Sequence, residues 1–368
     1  EQKQLNHALD FATSNRLELE ILLQHYTYDS LKLEAAKFLI RNMPHCYSYQ
    51  QGGEMDSVKR VRTYYSPFGQ IDQTYARRWG HYTYRNLPKI YDAHIITAEY
   101  LIDNIDRAFD NWQKRPWNRS LSFEDFCEYL LPYRIGDEPL EEWRELYEKK
   151  YGYLLDSIYK GSDVVEAANL VSRHLQEPVF IYCEDFELPH IGPRYLFSHR
   201  YGSCVDAADI VTYAFRAVGI PCMEDTDARG GHVWNVVRDT TGCDVPIWYI
   251  ASEAVRGSRD TGGYKRGKVY RPMYGFQEEK AAHLGDDWKS MPLLFYHPYM
   301  KDVSYAYYPD TLRILTGIPD DEVCYLAHFH EAHWWSCACA RSASGKMEIP
   351  NLESELVYLP IKYTKGNY

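Results

Sequence analysis

Tyr201-Gly202-Ser203-Cys204-Val205-Asp206-Ala207-Ala208-Asp209-Ile210-Val211-Thr212-Tyr213-Ala214-Phe215-Arg216, followed by Ala217-Val218-Gly219-Ile220-Pro221, is the stretch on which the reading of the fold turns. Ala207, Ala208, Val211, Ala214, Phe215 and Val218 recur at three- and four-residue spacing, which places them on one buried helical face. Gly219-Ile220-Pro221 ends the helix, because glycine tolerates the left-handed cap and proline cannot continue the hydrogen-bond ladder. Beyond a polar loop, Gly230-Gly231-His232 leads into Val233-Trp234-Asn235-Val236-Val237, a β-branched and aromatic run that predicts a strand. Asp239-Thr240-Thr241-Gly242 predicts a turn, and Val245 to Ile250 the returning strand. A cysteine thus opens a helix and a histidine opens a strand.

That pattern has chemical content. A helix N-terminus carries about half a positive charge and unpaired N–H groups, and both favour thiolate over thiol. A nucleophilic cysteine needs a base within hydrogen-bonding reach and a third group to orient that base. Against this stands the commoner use of cysteine as a small buried packing residue.

Gly202-x-Cys204, Arg216-Ala217-x-Gly219-Ile220-Pro221 and Gly231-His232-x-Trp234, in that order, resemble the transglutaminase-like family. The resemblance implies a papain-like core, with Cys204 as nucleophile and His232 as base. The family's third member is an Asp on the strand after the histidine strand. Folding the hairpin about Asp239–Gly242 sets His232 opposite Tyr249 to Ser252, none of them a carboxylate. Glu253 is the nearest acid and the candidate third residue, while Asp244 falls near the wrong end; Asn or Gln from elsewhere, or a degenerate site, are the alternatives. Tyr201 is a candidate contributor to an oxyanion site together with the Cys204 N–H.

The segment Phe126-Cys127-Glu128-Tyr129-Leu130-Leu131-Pro132-Tyr133-Arg134, with Glu138-Pro139 and Trp143-Arg144, is similar to one that precedes the transglutaminase-like core in large envelope proteins of Bacteroides-type bacteria. Arg16, His25-Tyr26 and Ala35-Ala36-x-Phe38-Leu39-Ile40 agree with the same group. That resemblance implies export, a periplasmic or cell-surface location and lipid anchoring of the parent protein. Arg134 is expected in a core or interface ion pair, the usual fate of a fork-shaped guanidinium, more than in substrate binding. Asn118-Arg119-Ser120 matches a glycosylation sequon, and the bacterial resemblance argues against its modification.

The wider composition sets bounds. A length of 368 residues suits two or three domains. A net charge of −11 argues against nucleic acid, whose phosphates need clustered cations. The 34 tyrosines fit either a large aromatic core with hydroxyls at its edge or a sugar- or peptide-binding surface. No apolar run approaches the roughly 20 residues of a membrane helix. Residue 1 is Glu, so the chain is expected to be a processed or truncated product. Nine cysteines without a C-x-x-C pair indicate neither zinc ribbon nor redox motif. His328, His330 and His333 invite a metal reading, but His330-Glu331-x-His333 is one residue short of the helical zinc motif, so no metal and no cofactor are expected. His190 and His199, in and after the loop Leu188–Arg194, are weaker catalytic candidates.

The expected architecture is α+β: a helical region over residues 1–150, a transglutaminase-like core over 151–290 and a small antiparallel β-sandwich over 291–368. Within it, Ala93–Trp112 and Val164–Leu175 are expected helices, residues 46–75 an irregular segment, Phe180–Tyr182 a short strand, Arg256–Arg266 an exposed loop, and Lys268–Arg271 an edge strand. Val303–Tyr307, Cys324–Phe329, Trp335–Cys339 and Glu355–Pro360 are the expected strands of the last domain. The leading function is a thiol hydrolase or acyltransferase acting on amide bonds of a peptide, protein or glycopeptide through a Cys204 acyl-enzyme. The alternative is a non-catalytic surface module binding glycan or peptide in a vestigial cleft.

Overall fold

A computed structural model describes residues 1–177, 179–229, 231–249, 252–259, 265–278, 293–309, 311–330 and 332–361. Gly230, Ile250, Glu331 and the middle of the Arg256–Arg266 loop lie outside them. The chain is α+β, and its sheets are small and mainly antiparallel. Its contacts cluster into two units, Glu1–Met223 with Asn235–Ser258, and Glu224–Trp234 with Arg259–Tyr368. The sequence borders near 150 and 290 do not coincide with these bounds. The chain leaves the first unit within strand Cys222–Asp227 and re-enters it within strand Val233–Arg238.

The first unit is built on the helix Cys204–Ala217, in which every residue but Val205 is buried. A helix buried on all faces must be apolar or internally satisfied on all faces. Here Ile210, Val211, Tyr213, Ala214 and Phe215 pack with Trp143, Tyr147, Val164, Val171, Val237 and Ile247. Each large side chain contributes roughly 1.5–3 kcal/mol through burial. Around it stand helices with side-chain caps that satisfy orphan N–H groups. Asp29 accepts from Lys32 N, Thr97 from Tyr100 N, Ser122 from Asp125 N and Asp163 from Val165 N. The Thr97 cap explains why the long helix runs Ala98–Lys114 rather than from Ala93, which instead sits in a short 3-10 turn. Val164–Leu175 is a helix as expected.

Residues 46–75 are not irregular. Tyr47–Tyr49 pairs antiparallel with Lys89–Tyr91, and Glu54–Arg62 is a helix burying Met55, Val58 and Val61. Arg134 lies in a buried ion pair, its Nε 2.6 Å from Asp92 Oδ2, and also bonds the Glu138 carbonyl. Asn118 is buried and donates to Gly219 O at 2.9 Å, so the sequon's acceptor amide is engaged inside the fold.

In the second unit, Val269–Pro272 pairs antiparallel with Asp227 and Thr226 on one side and with Met300–Asp302 on the other. It is therefore an inner strand, correcting the expected edge. Val323–His330 and His333–Arg341 form a hairpin with a bulge between Leu326 and Ala327, and Tyr358–Ile361 joins the far side of Val323–His330. Leu312–Thr316 pairs with Lys346–Pro350. Cys324, Leu326, Cys337, Ala338, Met347 and Ile349 share one core. Two corrections follow: Val303–Tyr307 holds a 3-10 turn at Ser304–Ala306, and the last strand starts at Tyr358, after Glu355 with φ of 59°.

Candidate functional site

Ser203 caps the Cys204 helix, its N–H donating to Asp206 Oδ2 at 2.8 Å and its Oγ lying 3.3 Å away. Asp206 crowds Gly202 so closely that a Cβ there would fall 2.3 Å from Asp206 Oδ2, which reserves that position for glycine. Asp206 is also held by Arg62 at 2.8 Å, both side chains buried, and Arg62 Nη2 donates to Phe186 O at 3.1 Å. The helix missed in the sequence thus supplies the cation that fixes the start of the cysteine helix.

A parallel strand pair completes this end. Ile181–Tyr182 runs beside Tyr201–Gly202, with Cys183 N donating to Gly202 O at 2.8 Å. The pairing sets Tyr182 beside Gly202, and the Tyr182 hydroxyl donates to Glu184. Burial, Glu184 and Cys204 together push the Tyr182 phenol well above its ordinary range. Cys204 itself is 5% exposed and Tyr182 42%.

His232 lies in the second unit and is 8% exposed. Its carbonyl accepts from Asp227 N and from Thr226 Oγ1, each at 3.1 Å, and its ring lies 5.6 Å from the Trp234 ring. Trp234 Nε1 donates to Tyr307 Oη, which donates to Asp225, itself paired with Arg271. That buried relay fixes the strand on which His232 sits.

The hairpin register agrees with the fold drawn from the turn: Asn235 stands opposite Ile247 and Val237 opposite Val245. Glu253, the candidate third residue, points elsewhere. Its carboxylate meets Arg173 at 2.6 Å, with both side chains about half exposed. Asp244 accepts from Tyr129 Oη and pairs with Arg238. Tyr201 packs against the Val58, Val61 and Tyr65 cluster. His190 is not a solvated loop histidine: its Nδ1 lies 2.9 Å from Asp209, a fully buried carboxylate. Asp209 holds His190 protonated, well above the ordinary imidazole value. His199 stacks on Tyr195 at the surface.

Sequence reasoning missed Tyr182 and Glu184. The available signal was the short strand around Ile181, but nothing in the sequence pairs it with Tyr201–Gly202. Among the described residues no three metal-ligating side chains converge, and no helix is long and apolar enough to cross a membrane. No family model, curated protein or solved structure matches this chain.

Proposed function

We propose that this chain is a transglutaminase-like thiol hydrolase or acyltransferase with a papain-like core, working on amide bonds of peptides or proteins in a bacterial envelope. The observation that carries the reading is Cys204 in the first turn of a fully packed helix, behind a Ser203–Asp206 capping box that Arg62 holds. The thiolate would attack the amide carbonyl. His232 takes the thiol proton and returns it to the departing amine, leaving a thioester on Cys204. Water or a second amine then attacks the thioester, giving hydrolysis or transfer. The helix N–H groups are donors suited to the oxyanion.

A second reading is favoured by Glu253: with its carboxylate committed to Arg173, the expected orienting acid is engaged elsewhere. On that reading the cleft serves as a binding module for peptide or glycan.

Alkylation separates the two. Iodoacetamide labelling of Cys204, located by peptide mass spectrometry, is followed between about pH 5 and 9 in wild type, His232→Ala and Tyr182→Phe. An activated thiol reacts well below the free-thiol pKa of roughly 8.5, and His232→Ala slows it at least tenfold near pH 6.5. An ordinary thiol profile, unchanged by His232→Ala, overturns the enzymatic reading in favour of the binding module.

A further inference from the structure

The net charge of −11 hides a local reversal of sign. Residues 57–91 carry seven Lys and Arg against one acid, Asp72. Two of these cations are engaged within the unit, Arg62 by Asp206 and Arg85 by Glu187. Lys59 donates to Gln51 Oε1 at 2.7 Å and to the Ile191 carbonyl at 3.3 Å. Arg60, Arg77 and Arg78 are exposed, and among the described residues none has a carboxylate within ion-pairing distance. Guanidinium groups left uncompensated on an acidic protein make a local positive potential that attracts anions.

Aromatic rings lie between these cations. Arg60 stands on helix Glu54–Arg62, and Tyr64 follows by about one turn, its N–H donating to Val61 O at 2.9 Å. The Tyr64 and Tyr75 rings meet with centroids 5.1 Å apart. Tyr75 and Arg78 are three residues apart on helix Gln73–Trp79 and share one side of it. The Arg78 guanidinium lies 5.1 Å from the Trp79 ring. Tyr64 is 47% exposed and Tyr75 36%, so both rings are open to solvent. Beneath them Val58, Val61 and Tyr65 pack with Ile71 and Trp79, which holds the two helices together and makes the strip a fixed surface.

The strip borders the start of the cysteine helix. Arg62, on the buried side of the helix that carries Arg60, holds Asp206. The loop between the two helices passes Tyr182: a Cβ on Gly69 would fall 3.3 Å from Tyr182 O. Tyr182 in turn pairs with Gly202, two residues before Cys204.

We propose that Arg60, Arg77 and Arg78, with Tyr64 and Tyr75, bind an acidic segment of a peptide or protein; that this segment belongs to the substrate rests on the hydrolase reading. The guanidinium forks take its carboxylates, and the tyrosine rings cover the aliphatic stems beside them. Arg and Tyr are the pairing that protein interfaces favour. A membrane or a nucleic acid is a polyanion larger than the strip, and the acidic remainder of the chain repels it. A short acidic segment meets the strip alone.

The test uses the full chain and the fluorescence anisotropy of a labelled Glu-rich peptide near pH 7, beside the same peptide with Gln for every Glu. At low salt the Glu peptide is expected to bind at least tenfold more tightly than the Gln peptide, and raising the salt weakens it through screening. Arg60→Glu with Arg78→Glu loses at least tenfold, and Tyr64→Ala at least threefold. Arg119→Glu with Lys3→Glu makes the same charge change at exposed positions elsewhere in the unit and leaves binding within threefold of wild type. All five side chains are exposed, so the variants are expected to fold, which unchanged thermal unfolding checks. Cys204→Ala binds the peptide as wild type does, so this readout and the alkylation experiment fail or succeed separately. Equal affinity for the two peptides, equal loss in the two charge-reversed pairs, or tighter binding of anionic phospholipid vesicles or single-stranded DNA than of the Glu peptide would overturn the proposal.

Discussion

At the scale of single residues, the polar groups buried under the cysteine helix are the informative ones. Asp209 and His190 are a buried ion pair one and a half turns along the helix from Cys204, and Gly136 packs so near the imidazole that a Cβ would fall 2.3 Å from Nε2. The carboxylates of Asp209, Asp137 and Glu138 all raise the His190 pKa against the cost of burial. A histidine whose folded pKa exceeds its unfolded value of about 6.5 contributes stability that is whole below that value. The contribution is lost as pH rises through the folded pKa. His190→Gln is therefore expected to lie about 3 kcal/mol below wild type near pH 6, the usual cost of breaking a buried pair, and to approach it at alkaline pH. Urea midpoints from about pH 6 to 10 read this directly; a margin that stays constant or widens with pH counts against the charged pair.

At the scale of elements, legibility followed the strength of the local signal. The Cys204 helix was readable because its apolar positions and Gly219-Ile220-Pro221 agree on one register and one end. The hairpin was readable because its turn residues set which strand positions face each other. The helix Glu54–Arg62 was not, since only Met55, Val58 and Val61 mark its buried face inside a Tyr-rich polar stretch. Lys268–Arg271 was misplaced for a different reason: a strand's cations suggest an edge, yet Lys268 pairs with Asp302 and Arg271 with Asp225. The start of the cysteine helix shares this fate, because Ile181–Tyr182 meets Tyr201–Gly202 through a two-residue parallel pairing with no local signal. Gly219 tests the helix stop. It has φ of 82°, and a Cβ would fall 2.9 Å from Asn111 O and 2.8 Å from Arg115 Cγ. Its carbonyl also accepts from Trp117 Nε1 at 2.9 Å. Gly219→Ala is expected to destabilise by about 2 kcal/mol, through strain and crowding together. Thermal unfolding checks it; a melting temperature equal to wild type would mean the helix end is not clamped there.

At the scale of the whole molecule, the two compact units are interleaved in sequence, and no composition shift could reveal that. The second unit takes Glu224–Trp234 from a stretch whose neighbours on both sides belong to the first. What ties those few residues in is chemistry remote along the chain. Asp225 is fully buried and meets Arg271 Nε at 2.5 Å and Nη2 at 2.9 Å; it also accepts from Tyr307 Oη at 2.7 Å. Trp234 donates to the same Tyr307, and the Arg266 guanidinium lies 4.7 Å from its ring. Removing one partner of a buried charged pair costs about 3–5 kcal/mol, a large part of an ordinary domain's stability. A fragment beginning at Arg259 keeps Arg271, Tyr307 and Arg266 but loses Asp225 and Trp234. Residues 259–368 expressed alone are accordingly expected to be unfolded by circular dichroism and amide dispersion, although they look like a self-contained β domain by composition. Full-length Asp225→Asn should lose about 3 kcal/mol in urea, because it breaks a buried charged pair with Arg271. A cooperatively folded 259–368 fragment would show that the Glu224–Trp234 strands are accessory, and the second unit would then have to be redrawn as a contiguous domain.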